Sequence, residues 1–115
     1  MTTEDDVRRI ALALPFTTEK PSYGTPGFRA KDKLFARLKE EPDVLAIWVA
    51  HEQEKLAMVE AEPAKFFTTP HYDGYPMVLV RLSTVEEVEL TELITESFRL
   101  RAPNTVVQAF DSGAS

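Results

Sequence analysis

A predicted β-hairpin between Lys33 and Ala50 constrains the fold of this chain more than any other feature. Its two apolar segments are joined by the turn sequence Glu40-Glu41-Pro42-Asp43. A four-residue turn at this place sets Ala36 opposite Ile47, and apolar side chains then meet across the strands at the other positions too. The hairpin therefore predicts an antiparallel sheet with one purely apolar face, which helices must cover.

Hydrophobic spacing, turn residues and helix caps assign the other elements. The predicted elements are helices at Thr3–Leu14, Glu52–Glu62 and Val85–Arg101 and strands at Thr18–Ser22, Phe28–Ala30, Lys33–Lys39, Val44–Ala50 and Met77–Leu82. Thr3 with Asp6, and Thr84 with Glu87, have the spacing of N-terminal helix caps. In the second helix, Leu56 and Val59 are predicted to face the core. The order α-β-β-β-β-α-β-α predicts an α+β fold, a single antiparallel β-sheet with helices packed on one face.

The length of 115 residues predicts one domain, from residue 1 to 110, followed by a flexible tail from 111 to 115. The sequence has no cysteine, which excludes disulfides, thiolate metal sites and cysteine nucleophiles. No apolar run approaches the ~20 residues of a membrane span, and the acidic start is unlike a signal peptide. We therefore expect a cytoplasmic protein with no membrane partner.

Three sequence strings resemble the MmcQ/YjbR-like family. They are GTPGFRAKDKLFARL at 24–38, FFTTPHYDGYPMVLVRL at 66–82 and ELTELITESFRLRAP at 89–103. The resemblance extends from Asp5 to Pro103 and implies a CyaY-like α+β domain, in which helices back a curved antiparallel sheet. It also implies DNA binding through a double wing of two β-hairpins. One departure is the stretch Asp73–Met77, which is acidic where many members are basic, so this loop is poorly suited to contact phosphate.

Positive charge is concentrated in one segment of the sequence. Between Lys20 and Lys39 there are six basic residues and one acid, a net charge of +5, whereas the formal net charge of the whole chain is -6. Strict alternation puts Phe35 on the outer face of its strand together with Lys33, Arg37 and Lys39. Trp48 lies opposite Phe35, and a tight turn at Lys31-Asp32 would add Phe28 to the same face.

Aromatic rings among Lys and Arg side chains stack on nucleic-acid bases, at ~1–3 kcal/mol for each base. The predicted nucleic-acid-binding residues are Lys20, Arg29, Lys31, Lys33, Phe35, Arg37, Lys39 and Trp48. The sequence thus indicates DNA as a partner that the basic hairpins bind locally, while the acidic remainder of the chain limits nonspecific binding.

Alternative interpretations stay open. Lys and Arg on strands are also ordinary solvating residues that prevent edge-to-edge aggregation. Phe35 and Trp48 would then be a cross-strand pair covered by a loop, by the tail, or by a protein partner or second subunit. The residues around Phe66, Phe67 and Tyr72–Met77 are candidates for a small apolar ligand pocket.

The sequence shows no catalytic constellation. His71 and Asp73 form an HxD pair, but a metal site needs three or four ligands, and His51 lies a helix and a loop away. A hydrogen bond within a turn is the preferred interpretation of this pair. Neither a nucleophile elbow nor a phosphate-binding glycine loop is present. We expect no enzymatic activity, no cofactor and no metal.

Overall fold

A computed structural model describes residues 1–113 of the chain, which form six strands and four α-helices. The helices are α1 (Glu4–Leu12), α2 (Glu52–Ala61), α3 (Glu87–Arg101) and α4 (Asn104–Asp111). The strands are β1 (Thr17–Ser22), β2 (Thr25–Ala30), β3 (Lys33–Leu38), β4 (Val44–Trp48), β5 (Phe66–Phe67) and β6 (Met77–Arg81). One sheet of order β1-β2-β3-β4-β6-β5 contains all the strands, and every neighbouring pair is antiparallel. The predicted α+β class is confirmed.

The register of the central hairpin is also as predicted, with Ala36 opposite Ile47 and Leu38 opposite Leu45. These four side chains belong to the main core, to which α1 and α3 also contribute, and we name this face of the sheet the inner face. The opposite, outer face carries a second, smaller apolar cluster. Its members are Val44, Ala46, Tyr72 and Leu79, with Phe67 and Met77 packed against them.

Phe35 lies on the inner face, because β3 contains a β-bulge at this position. Phe28 pairs with Ala36, but the next residue of β2, Arg29, pairs with Leu34, so that Phe35 is an extra residue. A bulge interrupts the alternation of side chains along a strand. Phe35 is fully buried and packs edge-on against Phe98, with ring centroids 5.5 Å apart. The prediction that Phe35 is exposed among cations is therefore wrong. The prediction that Phe28 lies on the same exposed face is also wrong, because Phe28 is fully buried.

Two side chains of α3 enter the sheet where the bulge separates β3 from β4. Ser97 Oγ donates a hydrogen bond to the carbonyl oxygen of Phe35 and accepts one from the backbone N–H of Trp48 at 2.9 Å. Arg101 Nε donates to the carbonyl oxygen of Leu34 at 3.0 Å. These contacts satisfy backbone groups that would otherwise bond across the strands. As a result, the predicted cross-strand pair of Phe35 and Trp48 does not form.

Of the two predicted helix caps, the first is confirmed and the second is wrong. Thr3 and Asp6 form a reciprocal capping box at the start of α1. The N-cap of α3 is Glu86, which makes no side-chain cap hydrogen bond, while Thr84 Oγ donates to the carbonyl oxygens of Ala64 and Arg81. The Thr84 hydroxyl, which the sequence predicts as a helix cap, therefore hydrogen-bonds to carbonyl oxygens outside α3 instead.

The strand β5 and the helix α4 have no counterpart in the predicted order. In α4, Val106 is buried and the Phe110 ring packs edge-on against Phe98, with centroids 5.4 Å apart. The predicted flexible tail overlaps this helix, because Asp111 is its last residue and pairs with Arg99 at 2.8 Å. Residues 114 and 115 of that tail lie outside the described residues. None of the helices in residues 1–113 is long and apolar enough to cross a membrane.

Candidate binding site on the outer sheet face

The outer face of the sheet is positively charged, although the whole chain is acidic. Every charged side chain that the strands of the described chain place on this face is basic. The residues concerned are Lys20, Arg29, Arg37 and Arg81. The one acid within these strands, Glu19 of β1, points to the inner side, where its carboxylate pairs with Arg8 of α1 at 2.7 Å.

Four cations of the two hairpins β1–β2 and β2–β3 form no ion pair with any acid in residues 1–113. We name Lys20, Arg29, Lys31 and Lys33 the hairpin cations. Arg29 reaches only the carbonyl oxygen of Asp32, at 3.4 Å, and Lys31 Nζ lies 4.6 Å from the centroid of the Phe16 ring. Lys31 and Asp32 have φ of 46° and 75°, as in a two-residue hairpin turn. This predicted turn is confirmed. Since no acid of residues 1–113 pairs with the hairpin cations, their charges are available to an anion.

Beside these hairpins, the outer face forms a groove of about 600 Å³, which we name the outer groove. Its lining residues are Tyr23, Leu34, Arg37, Lys39, Glu40, Trp48, His71, Tyr72 and Met77. Strands β3, β4 and β6 supply its floor. The β1–β2 turn with Tyr23 lies on one side, and the loop of residues 68–76 lies on the other.

Arg37 and Lys39 bring two nearly buried positive charges into the outer groove. Arg37 Nε donates to the carbonyl oxygen of Ser22 at 2.9 Å, and its Nη2 donates to Glu40 Oε1 at 2.8 Å. Lys39 Nζ donates to the hydroxyl of Tyr72 at 2.8 Å and lies 3.8 Å from Glu40 Oε2. The backbone N–H of Glu40 itself, followed by the charges of Lys39 and Arg37, lowers the pKa of this carboxyl below its ordinary value. The single carboxylate of Glu40 thus lies within ion-pair distance of both Arg37 and Lys39.

Aromatic rings surround these charges. Trp48 is half-buried in the groove lining, and the Arg101 guanidinium lies over its ring, 4.4 Å from the centroid. The Tyr23 ring is exposed, with the Arg37 guanidinium 5.2 Å from its centroid. The groove therefore combines cations with accessible flat rings, which is the composition that binds anions carrying a planar group.

Helix α2 holds the loop that forms one wall of the groove. Lys55 is only 1% exposed, and its Nζ donates to the carbonyl oxygens of Tyr72 and, at 3.1 Å, Tyr75. The Glu52 carboxylate accepts a hydrogen bond from the backbone N–H of Gly74 at 2.9 Å. Leu56 is 53% exposed, so its predicted place in the core is wrong, whereas Val59 packs against the core as predicted.

The two histidines have separate roles. His51 is the N-cap of α2, where its Nδ1 accepts a hydrogen bond from the Glu54 backbone N–H at 3.1 Å. His71 is exposed in the outer groove and lies edge-on to Tyr72, with ring centroids 5.0 Å apart. In residues 1–113, no group of three or more His, Cys, Asp or Glu side chains is placed to hold a metal ion.

The structure distributes the predicted binding residues over two adjoining regions. Arg37, Lys39 and Trp48 line the outer groove, Lys20 and Arg29 lie on the outer face beside it, and Lys31 lies in the β2–β3 turn. Phe35 is excluded by burial. The predicted place of Lys33 on the outer face is wrong, because the bulge pairs Lys33 with Ala30 of the inner core, although the Lys33 side chain stays exposed beside the turn. The sequence interpretation missed Tyr23 and Glu40 as groove residues, and it singled out His71 only for its HxD pair with Asp73. The residues of the predicted apolar pocket do not line one cavity, because Phe66 belongs to the inner core and Phe67 packs on the outer face. Tyr72, Tyr75 and Met77 line a recess of about 160 Å³ with His71.

These features define an α+β protein whose antiparallel sheet is covered by helices on one face and presents a basic, aromatic groove on the other. The chain belongs to the YjbR family, whose sequence model matches residues 12–100. The family predicted from the sequence strings is therefore confirmed.

Relatives and a solved structure extend this likeness over most of the chain. An uncharacterized protein of Mycobacterium bovis and one of Mycobacterium tuberculosis are each 40% identical to it in an alignment of 124 positions, which covers 96% of this chain and 96% of each relative. A crystal structure of a Deinococcus radiodurans protein with a DUF419 domain superposes with a TM-score of 0.71 at 26% identity. The superposition covers 87% of this chain and 78% of that one.

Proposed function

We propose that this protein binds DNA through the outer face of its sheet. The observation that carries the proposal is the charge of this face, on which the strands place basic residues and no acidic ones within residues 1–113. Positive side chains that contact phosphate release counterions, and this release supplies most of the affinity in nonspecific DNA binding. Because the net charge of the chain is -6, the rest of the surface is acidic on balance and opposes nonspecific attraction of a polyanion.

The hairpin cations are the residues we assign to phosphate contacts. Lys20 and Arg29 project from adjoining strands onto the outer face, Lys31 lies in the β2–β3 turn, and Lys33 is exposed directly after the turn, opposite Ala30. Their charges are not already neutralised by acids of the described chain, so binding phosphate would not require an existing ion pair to break. This arrangement agrees with the two-hairpin, double-wing mode of binding that the family resemblance implies.

The exposed loop around Asp73 limits the extent of the interface. It contains no Lys or Arg between Thr68 and Met77, and Asp73 adds a negative charge at the far side of the groove. We therefore place the DNA backbone over the β1–β3 half of the sheet and not over the β6 edge.

Self-association through the same face is the weaker candidate. In a twofold dimer the same patch meets itself, so the outer-face cations of one subunit would approach those of the other. Like charges brought together at an interface disfavour binding. Tyr23, exposed beside the groove, would have to bury enough area to offset this repulsion.

Fluorescence anisotropy of a labelled DNA, at low and at moderate salt, tests the proposal. The variant Lys20→Gln/Arg29→Gln removes two hairpin cations. We expect it to bind less tightly and to make the slope of log K against log salt shallower by about 1.4, at about 0.7 for each contact to a single strand. Arg37 is unsuited to this test, because it also holds the Ser22 carbonyl.

The matched control is Arg9→Gln/Arg99→Gln, which removes the same charge from exposed positions on α1 and α3. It should leave the slope within about 0.5 of the wild-type value, because the helices cover the other face. Equal losses in the two variants, or no binding by the wild-type protein at low salt, would refute the assignment.

A further inference from the structure

We propose that the outer groove binds one nucleotide, with its base against Trp48 and its phosphate at Arg37 and Lys39. This inference rests on the proposed function and deepens it, because it names the part of the nucleic acid that the groove takes. The shared chemistry is an unpaired base joined to a phosphate, which a single strand or a free nucleotide can supply.

Arg37 and Lys39 give the outer groove an excess of positive charge. The Arg37 and Lys39 side chains are only 10% and 13% exposed, yet Glu40 is the one acid within ion-pair distance of either in residues 1–113. Two positive charges and one negative charge leave an excess of one positive charge in a largely desolvated place. A phosphodiester carries one negative charge and matches that excess. Arg37 Nη1 has no hydrogen-bond partner in the described chain and is available to a phosphate oxygen.

Glu40 lies where a bound phosphate would contact Arg37 and Lys39. Its two carboxylate oxygens face Arg37 Nη2 and Lys39 Nζ, at 2.8 Å and 3.8 Å, as two oxygens of a bound phosphate would. The Glu40 side chain is 62% exposed, so it can turn into solvent and regain hydration when a phosphate replaces it. Glu40 therefore acts as an internal anion that competes with the ligand.

The groove also has an apolar part, to which Trp48 contributes its ring. Trp48 lines it together with Leu34 and Met77, and an unpaired base stacks on an aromatic ring whatever its sequence. Arg101 already covers part of the Trp48 ring but does not line the groove, so the groove side of the ring stays accessible. A base inside a duplex is stacked on both faces and cannot make this contact. The volume of about 600 Å³ lies within the range of ordinary ligand pockets.

The test uses the fluorescence of Trp48, which is the only tryptophan of the chain. The full-length protein is titrated with deoxyadenosine 5′-monophosphate, with a short single-stranded oligonucleotide, and with a duplex of equal length. Labelled-DNA anisotropy is recorded in parallel. We expect the single strand to quench Trp48 and to bind more tightly than the duplex, because only unpaired bases reach the ring.

Two substitutions in one turn provide a matched comparison. Glu40→Gln removes the competing charge and should strengthen single-strand binding roughly two- to fivefold. Glu41→Gln changes the net charge equally at the neighbouring exposed position, outside the groove lining, and should have less than half of that effect. A third variant, Lys39→Gln, should weaken binding, with its circular dichroism spectrum showing whether the fold is retained.

The outcomes separate this inference from the proposed function. In one outcome the single strand binds in the anisotropy assay, the Trp48 fluorescence does not change, and Glu40→Gln and Glu41→Gln have equal effects. This outcome overturns the groove assignment and leaves DNA binding by the hairpins standing. A Trp48 response to the mononucleotide alone supports the groove, identifies the free nucleotide as the ligand, and refutes DNA binding. If none of the three ligands changes the Trp48 fluorescence and neither DNA changes the anisotropy, both the groove assignment and DNA binding are overturned.

Discussion

At the scale of single residues, Lys55 connects a helix of ordinary appearance to the candidate site. A buried ammonium group is unfavourable unless its hydrogen-bond donors find acceptors. Here the carbonyl oxygens of Tyr72 and Tyr75 supply them, and the loop that walls the outer groove is fixed to α2 as a result. In sequence, Lys55 stands among glutamates and leucine, as solvent-exposed lysines do, so periodicity alone favoured Leu56 for the interior.

Replacing Lys55 with Met should destabilise the protein. The apolar side chain has a similar length, but it leaves the Tyr75 carbonyl without its donor and removes one of two donors from the Tyr72 carbonyl. We expect a loss of about 1–3 kcal/mol in the free energy of unfolding, measured by urea denaturation. Amide hydrogen exchange of residues 72–75 should become faster at the same time.

The control for this prediction is the adjacent, exposed position. Leu56→Ala should change the free energy of unfolding by no more than about 0.5 kcal/mol, because the side chain contributes little to the core. A Lys55→Met protein as stable as the wild type would show that the two carbonyls need no ammonium donor.

At the scale of elements, the sequence was sufficient wherever local rules decide. Turn length and alternation fixed the β3–β4 register, since a one-residue slip would reverse every side chain of the hairpin. The bulge at Phe35 was beyond these rules. It is tied to Ser97, which lies 62 residues away and bonds to the Phe35 carbonyl. The contact that decides the direction of Phe35 therefore exists only after α3 has packed on the sheet.

The two proposed caps show the same limit. Within residues 1–113, the Thr3 hydroxyl hydrogen-bonds only to Asp6 and forms its capping box, while the Thr84 hydroxyl donates to the carbonyl oxygens of Ala64 and Arg81. Helix α4 was missed for a related reason. Its few apolar residues follow a proline, and their role appears only when Phe110 meets Phe98.

The caps give a paired prediction. Thr3→Ala removes the hydroxyl that accepts from the Asp6 backbone N–H, and should cost about 1 kcal/mol of unfolding free energy. Thr84→Ala, at an exposed position without a cap, should cost about 0.5 kcal/mol or less. Thermal or urea unfolding of the two variants makes the comparison, and an equal or larger loss for Thr84→Ala would contradict the assignment.

At the scale of the whole molecule, the two faces of the sheet differ in both cover and charge. Helices α1 and α3 cover the inner face, and Arg9 of α1 pairs both with Asp6 of its own helix and with Glu87 of α3. The outer face keeps its cations and its groove uncovered. A ligand of negative charge is therefore directed to one side of an otherwise acidic molecule.

This asymmetry limits how steeply DNA binding can depend on salt. The four hairpin cations are the charges we assign to phosphate contacts, and each contact to a single strand contributes about -0.7 to the slope of log K against log salt. The wild-type slope should therefore be about -3, measured by anisotropy titrations at several salt concentrations. Arg37 and Lys39 together add at most one contact, because Glu40 already shares their charge. A slope steeper than about -5 would mean that cations of the helices also contact the nucleic acid, and it would contradict the assignment of the phosphate contacts to the hairpin cations.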